Sequence, residues 1–256
     1  MGSVIGQHIA NRLTQDGWFV AGTARPGTDV AADVHDLTRC DLGSYASVSH
    51  ASWELRQLTR RWSLFVIVAG TMSPIGPFFE VSADDWEHGI QVNTLSPLRL
   101  LRELWQMRDS TVTPMVCFLA GGGTNSDFPS YSAYCISKIM LIKAVELLQS
   151  EEPSTKFVIL GPGYVRTPIH DETLAAGRSA GLNLDKTLKL LEGPGTDLEA
   201  IYQHLMKCYR GPTETIGGRN FSTAHDGWQD DTIDSLIASE PLDAFRLRRF
   251  PFSHVK

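Results

Sequence analysis

The sequence predicts an α/β protein in which a doubly wound parallel sheet is covered by helices on both faces. Three observations carry this. Apolar runs without alternation, above all residues 64–68 (Leu-Phe-Val-Ile-Val) and 115–119, read as strands buried on both sides. Longer stretches of helical period separate them. Glycine and polar residues gather just after the strands, at Arg25, Ala69-Gly70, Gly121-Gly122-Gly123 and Gly161-Pro162-Gly163. That is where such a sheet presents its ligand site.

In chain order, residues 5–15 read as a helix and 18–23 as a strand. A helix over 44–61 precedes the strand at 64–68, and a long helix over 83–108, adjusted at Pro97, precedes the strand at 115–119. A helix over 131–149 leads to a strand at 156–160. Lesser helices at 168–176 and 197–209 come before a last strand at 218–221. Neither repeats nor low-complexity blocks interrupt the pattern, so 1–256 reads as one domain with 222–256 as a C-terminal extension. A sheet of this kind needs a central first strand running into its first turn, and the sequence opens at the turn itself. Either a strand lies upstream of Met1, the preferred expectation, or the middle of the sheet has been lost.

Composition narrows the function. Of 256 residues 42% are hydrophobic and 20% charged, which excludes a disordered chain. The 23 Lys and Arg against 29 Asp and Glu give a net charge of −6, which argues against nucleic-acid binding. No apolar run is long enough to span a membrane and no secretory signal is visible, so the expected location is cytoplasmic. Cys40, Cys117, Cys135 and Cys208 are scattered without metal-ligand spacing and read as reduced thiols. The histidines show no such spacing either, so no metal site is expected.

The chemistry centres on Tyr134 and Lys138, four residues apart at a helix start and therefore on one face. A phenol is a poor proton donor near neutral pH, and a neighbouring ammonium lowers its pKa and makes it a usable acid/base. Alone, Tyr-x-x-x-Lys is weak. Here Tyr131-Ser-Ala-Tyr134-Cys-Ile-Ser-Lys138 follows a glycine-rich loop, and Gly161-Pro-Gly163-Tyr-Val-Arg-Thr167 lies one strand later.

From about Ser3 to Phe221 the chain resembles the short-chain dehydrogenase/reductases, whose fold is Rossmann-like. The resemblance implies that Tyr134 and Lys138 are catalytic, with the lysine also holding the nicotinamide ribose. It implies that Pro162, Gly163, Val165 and Thr167 flank the nicotinamide, and that Asn93, in Val92-Asn93, sustains a proton-relay water. Asp41 and Leu42 match the pair that flanks adenine, and Ala69-Gly70 supplies a flat backbone wall. Homodimers or homotetramers paired through the helices at 83–108 and 131–149 are also implied, as is a substrate lid after Thr167 that includes His170-Asp171-Glu172.

The departures are specific. In the family's phosphate loop Thr-Gly-x-x-x-Gly-x-Gly, Gly6 fits the last glycine, beside Ile5, while Val4 takes the middle one and the first would precede Met1. The family's catalytic serine falls at Gly121, or at Ala120 with one inserted residue, and neither carries a hydroxyl. Thr124 or Ser126 are candidate replacements. Arg25, 19 residues after Gly6, stands where a carboxylate would favour NAD; an arginine suits the 2′-phosphate of NADP.

The leading expectation is an NAD(P)-dependent oxidoreductase, NADP preferred over NAD. It would transfer hydride between nicotinamide and a carbonyl or secondary alcohol of a small molecule. The triple-glycine loop and Gly217-Gly-Arg-Asn-Phe221 faintly resemble members associated with surface-polysaccharide sugars. A second reading is a non-catalytic scaffold or partner subunit; a third is an enoyl reductase using Tyr131, seven residues before Lys138. The aromatic-basic tail at 245–252 is expected to pack against a neighbouring subunit.

Overall fold

Ser3 opens the first helix. Its hydroxyl accepts the Gly6 N–H at 3.0 Å, and α1 runs Val4–Gln15 before the chain turns at Gly17. The computed structural model of the chain describes residues 1–58, 60–230, 232–239 and 243–248. Strands β1 (Ala21–Ala24) and β2 (Asp36–Arg39) pair in parallel, Ala21 opposite Asp36. Strands β3 (Leu64–Ile67), β4 (Met115–Leu119), β5 (Lys156–Gly161) and β6 (Arg219–Ser222) form a second parallel sheet in that order. Among the described residues no strand lies between β1 and β3, and the two face each other across a cavity that both line. The expectation of a parallel, Rossmann-like sheet without its first strand therefore holds as architecture.

The helices are α2 (Tyr45–Gln57), α3 (Ala83–Ile90), α4 (Ser96–Leu104), α5 (Ser132–Glu151), α6 (Ile169–Ala176) and α7 (Leu182–Glu192), then α8 (Leu198–Arg210), α9 (Thr213–Ile216) and α10 (Thr232–Ser239). Alternation along β4 divides the core. Met115, Cys117 and Leu119 join Ile9, Leu13, Ile201 and Leu205 from α1 and α8, while Val116 and Phe118 join Leu101, Leu141 and Val145 from α4 and α5. Every residue of β4 is buried, which explains why the sequence there shows no alternation.

Four expectations need correction. The strand expected at 18–23 pairs only from Ala21, because Trp18 turns aside to meet Tyr209 edge-on at 5.1 Å. The helix expected over 83–108 breaks into α3, a π-helical turn at Gln91–Leu95, α4 and a 3-10 turn at Trp105–Met107. Pro97 has no N–H for the Asn93 carbonyl, and the Ser96 N–H bonds back to Gln91 O, which widens the helix there. β2 and α7 were not anticipated. β2 is polar and half-exposed, and α7 leaves Leu182, Leu188 and Leu190 largely exposed, so neither carries an apolar signature.

The described part of the extension packs on its own chain. Phe245 lies 5.1 Å from Phe221, its carbonyl accepts the Asn220 N–H, and Ile233 and Ile237 of α10 enter the main core. Trp228 stacks on His204 at 4.6 Å. These contacts use apolar surface of β6 and α8 that the sheet leaves uncovered. The end of the expected tail, 249–252, lies outside the described residues.

Candidate active site

Tyr134 and Lys138 sit in the first turns of α5, beside the carboxyl ends of β3 and β4, and both are buried. Their side chains point the same way: Lys138 Nζ stands 5.6 Å from the centre of the Tyr134 ring and donates to Leu119 O at 2.9 Å. Both line a cavity of about 1480 Å³ that protein does not fill. Burial lowers the Lys138 ammonium from 10.5 to about 8. Burial first, then Cys135 and Glu172, pushes the Tyr134 phenol well above its usual value. The expected lowering of the tyrosine by its lysine is thus absent from the ligand-free chain. The ammonium lies over the ring and spends a donor on Leu119, while desolvation of the phenol dominates.

The Tyr134 hydroxyl rests against Gly121, the position where a serine was expected. A Cβ there would collide with Tyr134 Oη, so the glycine makes room for the phenol and no side chain replaces the serine at that point. Of the two candidate replacements, Thr124 donates to Gly121 O at 3.3 Å, next to the phenol, and Ser126 is exposed on the cavity rim. Tyr131 behaves differently. Its hydroxyl donates to Thr173 Oγ1 at 2.8 Å, its ring is fully buried against Phe128, and it does not line the cavity. The enoyl-reductase reading loses its donor by this geometry.

Asn93 falls in the π-helical turn, 1% exposed, and closes a two-point contact with Thr71: Oδ1 accepts Thr71 N at 2.8 Å and Nδ2 donates to Thr71 O at 2.9 Å. Its amide fixes the loop after β3 and places Gly70 beside both Asn93 Oδ1 and Lys138 Nζ. The same loop is gripped from the other side by Glu172 of α6. One carboxylate oxygen, Oε2, accepts from Thr71 Oγ1 at 2.8 Å, Met72 N at 2.7 Å, Ser73 N at 2.8 Å and Ser73 Oγ at 3.0 Å. Next to it, Thr173 receives the Tyr131 hydroxyl, so α6 is tied over Tyr134 from two elements.

The remaining expected residues fall along one cleft. Arg25 follows β1, and Asp41 and Leu42 follow β2 rather than β1. Ala69 and Gly70 follow β3, while Pro162, Gly163, Val165 and Thr167 follow β5. Gly163 has φ 77°, and a Cβ would strike Thr196 and come within 2.8 Å of Ala224 Cβ, so both its backbone conformation and the packing behind it require glycine. Ile5 and Gly6 line the same cavity from the first turn of α1, where Ile5 also enters the core. Sequence reasoning missed the grip of Glu172 and Thr173. Its signal was only three polar residues after Thr167, with nothing to pair them with a loop about 100 positions earlier.

Comparison with known proteins agrees with this geometry. The family model described as short chain dehydrogenase matches residues 1–177. An uncharacterized oxidoreductase of Schizosaccharomyces pombe is 28% identical over 105 residues, 41% of this chain and 42% of that protein, so the chain spans under half the length of that curated relative. A short-chain dehydrogenase/reductase from Saccharomyces cerevisiae superposes with a TM-score of 0.76 at 19% identity, covering 90% of this chain and 95% of that one. The NADP active-site complex of RhlG from Pseudomonas aeruginosa gives 0.71 at 19%, covering 86% and 91%. A fold with ligand-facing glycine turns at its strand ends and a buried Tyr-x-x-x-Lys pair defines an oxidoreductase class. The chain belongs to the short-chain dehydrogenase family.

Proposed function

We propose that the chain is an NAD(P)-dependent oxidoreductase that interconverts a carbonyl and a secondary alcohol on a small polar molecule. The observation that carries this is the co-directed pair Tyr134 and Lys138 in an open cleft at the strand carboxyl ends. The residues fit a dinucleotide. Gly163 lines the cleft where the nicotinamide end is expected, and the first turn of α1 lines it as well. Arg25, exposed at the end of β1, favours the additional phosphate of NADP over NAD.

When bound, a nicotinamide would supply or accept the hydride. Tyr134, protonated across the neutral range, holds the proton that a carbonyl oxygen needs as its carbon is reduced, and recovers it from the alcohol in reverse. Lys138 keeps positive charge beside the phenol when tyrosinate forms, and it lines the cleft where a ribose would lie. Asn93 holds the Thr71 loop that forms the cleft wall. With no serine at Gly121, the hydroxyl of Thr124 is the nearest candidate to orient the carbonyl.

The assembly we propose is a homodimer or homotetramer. Titration of the protein with NADPH and NADH, followed by fluorescence, tests the cofactor reading, and binding of neither would favour the scaffold alternative. Tyr134→Phe should retain cofactor binding and lose about 10²–10⁴-fold in kcat, the range for a general acid/base. Turnover within a few-fold of the parent would sink this mechanism.

A further inference from the structure

Helix α7 is built inside out. Leu182 and Leu188 are 74% and 46% exposed, while Asn183 and Thr187 are 1% and 8% exposed. A helix lying on a protein surface ordinarily turns its apolar side inward. Lys186, Thr187 and Leu190 stand three, four and seven residues after Asn183, so the four share one helix face, and all four line the cleft that holds Tyr134.

The helix is tied down at both ends. Asn183 Nδ2 donates to Pro129 O at 2.9 Å, and the Arg166 guanidinium donates to Leu191 O near the other end. Between them Leu184 packs on the apolar cluster of Met72, Tyr131 and Tyr134. Lys186 follows two residues on, about 3 Å further along the axis. The polar face of α7 is therefore a wall of the reaction cleft, beside the catalytic pair.

The other charges at this end are spent. Glu172 Oε2 takes four donors from the loop of Thr71, Met72 and Ser73, and Lys138 donates to Leu119 O. His170 Nε2 lies 3.0 Å from Val165 O, and burial lowers its pKa, which keeps the ring neutral at pH 7. Lys186 enters no ion pair among the described residues. A cation without a neutralising acid at a cleft wall draws anions in and disfavours cations. Thr124, Asn125 and Ser126 line the same cleft from the loop after β4 and add hydroxyl and amide groups to the lining.

We propose that the substrate is a hydroxylated carbonyl compound carrying an anionic group, and that α7 reads it, with Lys186 on the anion and Thr187 on a hydroxyl. That the ligand is the substrate rests on the oxidoreductase reading above; that α7 binds such an anion does not.

Matched pairs of ketoses test this without turnover, by dissociation constants read from the amide shifts of 183–190. The pairs are dihydroxyacetone phosphate with dihydroxyacetone, fructose 6-phosphate with fructose, and 5-ketogluconate with sorbose, so phosphate and carboxylate are each set against a neutral counterpart. In at least one pair the anionic member should bind about tenfold more tightly, the size of one hydrogen bond to a charged group. The preference should disappear in Lys186→Gln and return in Lys186→Arg. Equal affinity within every pair, binding by none of the six, or a preference that survives Lys186→Gln overturns the proposal. So does a preference abolished by saturating NADPH, which would assign the cation to a phosphate of the cofactor. An anion preference in a protein that binds neither NADPH nor NADH leaves the α7 site standing and counts against the oxidoreductase reading alone.

Discussion

Lys138 combines two roles that conflict. Held in a buried site with Leu119 O as its partner, its ammonium is less stable than in water, and its pKa falls from 10.5 to about 8. The unfolded chain therefore binds more protons than the folded one between about pH 8 and 10.5, and this group makes stability rise with pH across that window. Below it the folded state carries the full penalty of a buried cation, about 3 kcal/mol at about 1.4 kcal/mol per pKa unit. Lys138→Met should accordingly raise Tm at pH 7, with the difference from the parent shrinking toward pH 10.5, while turnover is lost. A variant less stable than the parent at pH 7 would show that the Leu119 bond outweighs desolvation. At this scale the sequence was legible where chemistry has fixed local spacing: Tyr134 and Lys138 share a helix face by arithmetic alone. It was not legible where the phenol's environment depends on the packing of Gly121, Cys135 and Glu172 around it, which reversed the expected direction of the tyrosine shift.

The helix α6 illustrates how an element is positioned by bonds that no local pattern encodes. Its sequence is short and weakly amphipathic, and what seats it is the Glu172 carboxylate in the loop of Thr71, Met72 and Ser73, together with Thr173 under Tyr131. Removing the carboxylate leaves two backbone N–H groups and two hydroxyls to find other partners, a loss of about 1–3 kcal/mol from the closed arrangement. Glu172→Ala should therefore raise hydrogen exchange in 169–176 and raise KM for the carbonyl substrate while kcat changes little. Exchange in that helix equal to the parent's would refute a holding role for the carboxylate. The same reasoning explains the elements that were misread. The apolar strands β4 and β5 announce themselves because both faces are buried, whereas β2 is half-exposed and held by register with β1 rather than by its own apolar residues. The π-helical turn was foreshadowed only by Pro97, and its consequence, the placement of Asn93 against Thr71, is tertiary.

Over the whole molecule, apolar surface that the fold leaves uncovered bears on assembly. Helix α5 buries Leu141, Ile142 and Val145 against the sheet, yet Ile136, Met140 and Leu147 on its outer side are 43%, 38% and 52% exposed. Steps of four and seven residues put these three on a single stripe of the helix. Leu95, 41% exposed beside the start of α4, extends the apolar surface onto the neighbouring element. An exposed apolar helix face invites a partner, and an isologous pairing of α5 with its copy would bury the stripe on both chains at once. Lys143 and Glu146, paired at 3.2 Å on the same helix, would then stand near the edge of the contact. Placing one charge on each chain at the centre of the stripe desolvates two like charges together, which an interface of ordinary size tolerates poorly. Met140→Asp should thus shift the sedimenting species from dimer or tetramer toward monomer at micromolar concentration, with far-UV circular dichroism unchanged because the residue is not part of the core. Sedimentation of the parent as a monomer under those conditions, or of the variant as an unaltered oligomer, would remove α5 as the pairing surface.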